Sequence, residues 1–184
     1  MTHHAPADDE DADVALIARW QAGDERAATS LVERHAPALA RFAASLGEWE
    51  QVDELVQDTF VRAFGSLEAF RGESSLRTWL FTILRRLVLD RRRAGRRGGE
   101  VVAFEDAGLA TEHGPLDGVI AEETRSRVDG AVRRLSRMQR EVFSLRVSEG
   151  LSYKEIAEVL GSTEGAARVH YHNALRAVKE ALDD

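Results

Sequence analysis

The stretch SYKEIAEVLGST, residues Ser152–Thr163, decides how the C-terminal part of this 184-residue chain folds. A serine followed three residues later by a glutamate, here Ser152 and Glu155, is a capping box that starts a helix. Gly161 ends that helix, and Ala157 lets a second helix cross closely over the tight turn. The pattern predicts a helix-turn-helix, a motif typical of DNA binding that also arises in plain helical hairpins.

Further helices are predicted on both sides of this stretch. A longer helix starts near Thr163 and continues almost to the end of the chain. A second capping box, Ser136–Gln139, opens a helix that continues to Ser148 and is closed by Gly150. A helix from about residue 117 to residue 135 precedes it.

The N-terminal part also reads as helices, because apolar residues recur at i, i+3, i+4 and i+7 and no sustained alternation of apolar and polar residues is present. We expect helices over 14–22 and 24–46, then one from Trp49 and one after the loop at 70–75. The fold class is therefore all-α, with two small helical domains joined by a linker. The expected organisation is a disordered acidic tail at 1–13, a helical domain at 14–94, a flexible acidic linker at 95–116 and the helix-turn-helix domain at 117–184.

Composition excludes several classes of protein. The chain has no cysteine, so disulfide frameworks, zinc ribbons and cysteine nucleophiles are excluded. No apolar stretch approaches the roughly 18 residues of a membrane span, and membrane insertion is not expected. His170 and His172 lie about 200° apart on a helix and cannot bind one metal ion together. We expect a soluble cytoplasmic protein without a metal or cofactor.

Charge is unevenly distributed along the chain. The formal net charge is -7, yet residues 85–97 hold seven arginines against one acid, Asp90. Because charges act over a Debye length of about 8 Å, this block sets a positive local potential despite the acidic total. It is a candidate contact for a polyanion; the alternative is a solvated helix end whose arginines complement the helix dipole.

The polar faces of three predicted helices supply the candidate site residues. On the helix from Trp49, the polar face reads by default as solvated and carries Asp53, Glu54, Gln57, Asp58 and Arg62. On the helix from Leu76, an apolar ring stands among arginines, an arrangement that holds unstacked single strands, with Phe81, Arg85, Arg86 and Arg92. On the last helix, the face that would enter a major groove carries Thr163, Gly165, Arg168, Val169, His172, Asn173 and Arg176.

Three motifs in order resemble one family. They are DELVQDTFVRAF at 53–64, FRGESSLRTWL at 70–80, and QREVF at 139–143 followed by EGLSYKEIA at 149–157. Together they are similar to extracytoplasmic-function sigma factors of the bacterial sigma-70 class, over roughly residues 14–94 and 117–182.

The resemblance implies partners and residue roles. The polar face at 53–62 would dock on the beta-prime clamp of core RNA polymerase, and the C-terminal domain would contact the beta flap. The helix after residue 76 would hold the single-stranded minus-ten element together with its preceding loop, Arg71, Gly72, Glu73, Ser74 and Ser75. The helix from Thr163 would read the duplex minus-thirty-five element, and an anti-sigma protein is a possible further partner.

Two other hypotheses are weighed against this one. A stand-alone helix-turn-helix regulator would bind duplex DNA without polymerase. This hypothesis assigns no function to the arginines at 71–93. An enzyme would need a nucleophile–base pair, a phosphate-binding glycine loop or a metal-ligand spacing, none of which the sequence contains.

Overall fold

A computed structural model describes residues 6–97 and 119–183 of the chain, and every regular element within them is helical. The predicted all-α class is confirmed over these residues. The helices are α1 (Pro6–Gln21), α2 (Glu25–Ser45), α3 (Val52–Gly65), α4 (Leu76–Arg97), α5 (Val119–Arg134), α6 (Arg137–Phe143), α7 (Tyr153–Leu160) and α8 (Glu164–Asp183). We call residues 6–97 the N-terminal half and residues 119–183 the C-terminal half.

The helix starts follow from local capping chemistry. Asp24 caps α2 by accepting a hydrogen bond from the backbone N–H of Arg26 at 3.1 Å. A hydrogen bond from the Arg19 side chain lowers the pKa of the Asp24 carboxyl below its usual range. Both predicted capping boxes are present, at Ser136 before α6 and at Ser152 before α7.

The turn between α7 and α8 uses a glycine for a conformational reason. Gly161 has φ of 61°, in the left-handed region, and its N–H bonds back to carbonyls of α7. A side chain at this position would strain the backbone. The tight turn that the sequence predicts between these two helices is therefore present.

Helix α1 begins earlier than predicted. We expect residues 1–13 to be disordered and the first helix to start at Val14, whereas the helix starts at Pro6. A buried polar contact holds the middle of this helix: the Asp13 carboxylate lies 2.9 Å from His35 Nε2 and 3.2 Å from Arg34 Nε. This contact fixes α1 on α2, and residues 1–5 lie outside the described residues.

The predicted linker is described only at its start, where α4 continues to Arg97. The rest of the predicted 95–116 segment, from residue 98 onward, lies outside the described residues, and so do residues 117 and 118, which begin the predicted helix-turn-helix domain.

The core extends through both halves. Helices α2, α3 and α4 bury Leu39, Phe42, Leu55 and Leu84, and the same cluster continues into the C-terminal half at Val142, Leu145 and Ile156. A second, smaller cluster between α5 and α8 contains Ala131, Val132, Leu135, Ala174 and Val178. Within residues 6–97 and 119–183, no helix is long and apolar enough to cross a membrane.

Candidate nucleic-acid interface

The predicted polar face of α3 lies on the surface but is not free of internal contacts. Asp53, Gln57 and Arg62 are exposed. Arg91 on α4 reaches across to the other two acids, with Nη2 3.0 Å from Glu54 Oε1 and 2.7 Å from Asp58 Oδ2. The two acids remain 63% and 43% exposed, so the pairs contribute little to stability.

An apolar groove of about 670 Å³ lies beside this face, between α2 and α3. Pro37, Val56, Phe60 and Phe64 line it, together with the polar residues Asp53 and Gln57. Val61, which also lines it, is 64% exposed, an unusual position for a large apolar side chain. The α3 face therefore combines acidic groups with exposed apolar surface.

The loop before α4 presents polar groups around a sharp turn. Arg71, Gly72 and Glu73 are exposed, and Gly72 has φ of 67°. Ser75 is half-buried and caps the helix, because its Oγ accepts a hydrogen bond from the Thr78 N–H at 3.1 Å. Ser74 is half-buried as well. The loop is thus anchored at its C-terminal end and open at its N-terminal end.

The arginines of α4 differ in their accessibility. Arg86 is exposed. Arg85 is 12% exposed and bonds through Nε to Glu141 Oε2 at 2.8 Å. Arg92 is also largely covered, pairing with Glu48 at 2.9 Å and donating to the Leu46 carbonyl. The expectation that Arg85 and Arg92 lie open on a polar face is wrong for this arrangement of the chain.

Phe81 is likewise not an exposed stacking group. It is fully buried, meets Phe42 edge-on with ring centroids 5.3 Å apart, and has the Arg77 guanidinium 5.6 Å from its ring. The physical reason is that α4 is covered on two sides, by α2 and α3 and also by the C-terminal half. Trp79 is half-buried and packs on Phe70, with ring centroids 5.1 Å apart.

The outer face of α8 is open. Gly165, Arg168, Val169, His172 and Arg176 are exposed, and Asn173 is half-buried. Thr163 caps the helix, since its Oγ1 accepts from the Ala166 N–H at 3.2 Å. Arg168 approaches Glu164 at 3.5 Å, a weak contact that leaves its side chain 56% exposed. The seven predicted residues therefore form one accessible surface at the start of the second helix of the helix-turn-helix.

Sequence reasoning missed several side chains around these surfaces. Tyr153 has the guanidinium of Arg168 4.7 Å and that of Arg146 5.0 Å from its ring, so it orients Arg168. Glu149 is buried and binds Arg41 and Arg77. The separations of 108 and 72 residues explain why no local pattern indicates these two pairs. The sequence offers one weak indication of the Glu149 contact, which is that this glutamate directly precedes Gly150, the glycine that ends a predicted helix.

The fold and these surfaces define a class of protein: a two-part, all-α DNA-binding protein with a helix-turn-helix in its C-terminal half. The family model Sigma-70 region 2 matches residues 31–98, and the model Sigma-70, region 4 matches residues 125–178.

Individual relatives agree with these matches. The chain is 33% identical to the ECF RNA polymerase sigma factor BldN of Streptomyces coelicolor over 99% of this chain and 71% of that protein. It is 30% identical to the ECF RNA polymerase sigma-E factor of Salmonella typhimurium, over 94% of this chain and 93% of that protein.

A solved structure shows the same fold. The sigma factor RpoE of Bartonella quintana, crystallised in complex with the anti-sigma factor NepR, superposes with a TM-score of 0.69 at 28% identity, over 84% of this chain and 96% of that one. The chain belongs to the ECF RNA polymerase sigma factors, which bind the polymerase core, recognise promoters and direct transcription initiation. The resemblance seen in the sequence is confirmed, and the family is favoured over a stand-alone regulator.

Proposed function

We propose that this chain acts as a sigma factor in the cytoplasm, without catalysis of its own, and that three of its surfaces each bind a different partner. The polar face of α3 binds core polymerase. The loop at 71–75 and the arginine side of α4 hold the single-stranded minus-ten element, and the exposed face of α8 reads the duplex minus-thirty-five element. The observation that carries the proposal is the capped helix-turn-helix with an open α8 face, found in one chain with an arginine-rich α4.

The α8 face has the chemistry for reading duplex DNA. An arginine can donate two hydrogen bonds to a guanine edge, and a valine methyl can contact the methyl group of thymine. Arg168 and Val169 are adjacent and both more than half exposed. The Tyr153 ring beneath Arg168 restricts the guanidinium, which lowers the conformational entropy lost on binding.

The α3 face has the chemistry for a basic protein partner. Its acids favour positively charged side chains, and the adjacent groove accepts apolar ones. An anti-sigma protein is a further proposed partner, supported by the structure of RpoE bound to NepR. Run-off transcription with core polymerase on genomic fragments tests the proposed function as a whole, and a chain that directs no transcript from any fragment contradicts it.

The α3 assignment is tested by reversing one charge. Asp53→Arg is expected to weaken binding to core polymerase at least about tenfold, because a like charge at a complementary interface costs several kcal/mol. Asp53 is preferred to Glu54 and Asp58, which pair with Arg91. Fluorescence anisotropy of the labelled chain measures the affinity, with circular dichroism on the same samples. The matched control is Glu50→Arg, an exposed acid on the turn before α3. An affinity of folded Asp53→Arg equal to that of the unsubstituted chain would show that the α3 face is ordinary solvent-exposed surface.

The α8 assignment is tested at Arg168. Arg168→Ala is expected to cost about 1 to 3 kcal/mol in binding of the preferred duplex and to relax the preference at one base pair. A contact to phosphate would instead weaken all sequences alike. Competition binding of the full chain with single-base variants of a selected duplex separates the two, with Lys179→Ala, exposed at the far end of α8, as the control. Undiminished binding on every sequence would remove α8 as the reading helix.

A further inference from the structure

The guanidinium of Arg91 connects helix α4 to the polar face of α3. Its Nη2 atom donates to Glu54 Oε1 at 3.0 Å and to Asp58 Oδ2 at 2.7 Å. Its Nη1 atom donates to Gln51 Oε1 at 2.9 Å, on the short turn Trp49–Gln51 before α3. One nitrogen can serve both acids because a guanidinium Nη carries two hydrogens. Arg91 therefore bonds to three side chains at once, and none of the three belongs to α4.

The two acids that Arg91 joins lie at positions i and i+4 of α3, one helical turn apart. Carboxylates at this spacing repel each other across the helix surface. The guanidinium between Glu54 and Asp58 offsets that repulsion and holds both side chains close to one point. Because one positive charge faces two negative charges, the three groups together remain negative and still attract a basic partner.

Each of the two acids keeps one oxygen available to a partner. Over the described part of the chain, Glu54 Oε2 and Asp58 Oδ1 accept no hydrogen bond, and both side chains remain accessible. Asp53 and Gln57, each one position earlier on α3, line the apolar groove beside this face. A basic group of a partner seated at the groove could therefore bond to the free oxygens while Arg91 stays in place.

The contacts of Arg91 are poorly suited to stabilising the fold. Ion pairs between accessible side chains contribute little to stability, since water screens the charges and ordering long side chains costs entropy. The same ordering has a larger effect on binding. Each long side chain that is immobilised at an interface lowers the affinity, and a side chain that is already held in place avoids this cost.

We propose that Arg91 is a positioning residue for polymerase binding: it orders Glu54 and Asp58 so that their free oxygens are available to basic groups of core polymerase. The inference rests on the function proposed for the α3 face. It assigns one of the seven arginines at 85–97 to the polymerase contact. The opposite role, in which Arg91 competes with polymerase for the two acids, predicts the opposite sign, because removing Arg91 would then strengthen binding.

The sign is tested with Arg91→Gln in the full chain. This variant is expected to bind core polymerase about tenfold more weakly, because two acidic side chains must then be ordered on binding. The loss should appear as faster dissociation, since the more negative face should not slow the approach of a basic partner. Biolayer interferometry with immobilised core polymerase measures both rates, and circular dichroism checks the fold. Unchanged or tighter binding by the folded variant overturns the proposal.

The matched control is Arg19→Gln on α1. It removes the same charge and also breaks an exposed arginine–carboxylate pair, in which Arg19 Nη2 lies 2.7 Å from Asp24 Oδ2. Its affinity for core polymerase should equal that of the unsubstituted chain. A loss in Arg19→Gln as large as that in Arg91→Gln would show that the net charge of the chain governs binding, and the positioning role would be wrong.

A double-mutant cycle shows whether Arg91 acts through the two acids. Glu54→Gln with Asp58→Asn should itself weaken polymerase binding, and adding Arg91→Gln should cause less than about a twofold further loss. The full tenfold loss in that background would mean that Arg91 acts elsewhere, and it overturns the proposal. If the amide variant binds polymerase normally, the function proposed for the α3 face fails together with the inference. If only Arg91→Gln binds normally, the inference fails alone.

Discussion

Replacing Phe81 by alanine is expected to destabilise the folded chain by about 3 to 5 kcal/mol. The ring is fully buried, and its edge-to-face contact with Phe42 at 5.3 Å adds to the effect of the buried apolar area. A truncation here leaves a cavity between α2 and α4 that rigid helices fill incompletely. Since domains of this size are stable by about 5 to 15 kcal/mol, the loss is a large fraction of the total.

Urea unfolding followed by circular dichroism measures this loss, with Val61→Ala as the matched control. Val61 is apolar and helical like Phe81 but 64% exposed, so its truncation should change the stability by less than about 0.5 kcal/mol. The comparison also separates two interpretations of Phe81. An exposed stacking residue would lose DNA binding with little change in stability, and a loss below about 1 kcal/mol in Phe81→Ala would favour that interpretation over the buried one.

Much of the fold can be predicted from the sequence because its signals are local. Each capping box joins residues three positions apart, and Gly161 sits directly after the helix it ends. The apolar stripes of α3 and α4 likewise depend on spacings of three and four residues. For the same reason the surface at the start of α8 is predictable: its residues share one side of one helix, whatever the rest of the chain does.

The accessibility of the α4 surface could not be predicted in this way. A helical periodicity identifies one buried side, and α4 has a second, where Thr78 and Arg85 contact the C-terminal half. The partners of that side, Glu141 and Glu155, are 56 and 77 residues further along the chain. An apolar ring on a charged side of a helix is expected both for a base-stacking residue and for a residue in a second protein interface. Because the contacting residues are so far apart in the chain, the local sequence does not distinguish these two cases. Asp13 and His35, which join α1 to α2, are separated by 22 residues, and no local pattern indicates this contact either.

The burial of Arg85 changes what its substitution means. On the sequence alone, Arg85 lies off the apolar stripe and its removal should leave the core intact. In the structure, its removal leaves Glu141 with Arg137 as its remaining charged partner at 3.3 Å. A buried carboxylate that loses its partner is costly, so Arg85→Ala weakens the packing of the C-terminal half on α4 as well as any DNA contact. Arg86, which is exposed, reports on DNA alone.

Arg85→Ala combined with Arg86→Ala is expected to leave closed promoter complexes intact and to reduce promoter opening at least about tenfold. Unpairing and flipping a base costs a few kcal/mol, and this cost must be offset by contacts to the released strand. Duplex recognition by α8 does not use either arginine, so the initial complex should form normally. Permanganate reactivity of thymines at the minus-ten element measures opening, and a gel-shift at low temperature measures the closed complex.

Two comparisons assign any loss to the unpairing step. A promoter with mismatches at the minus-ten element is already unpaired, so it should restore much of the activity of the double variant. Arg134→Ala serves as the matched control, because Arg134 is also exposed and helical but lies on α5, outside the arginine block at 85–97. The single variants then divide the effect: Arg86→Ala should lower opening through DNA alone, while Arg85→Ala combines the loss of a DNA contact with the loss of the ion pair to Glu141. Normal thymine reactivity in the double variant on fully paired promoter would show that neither arginine holds the open strand.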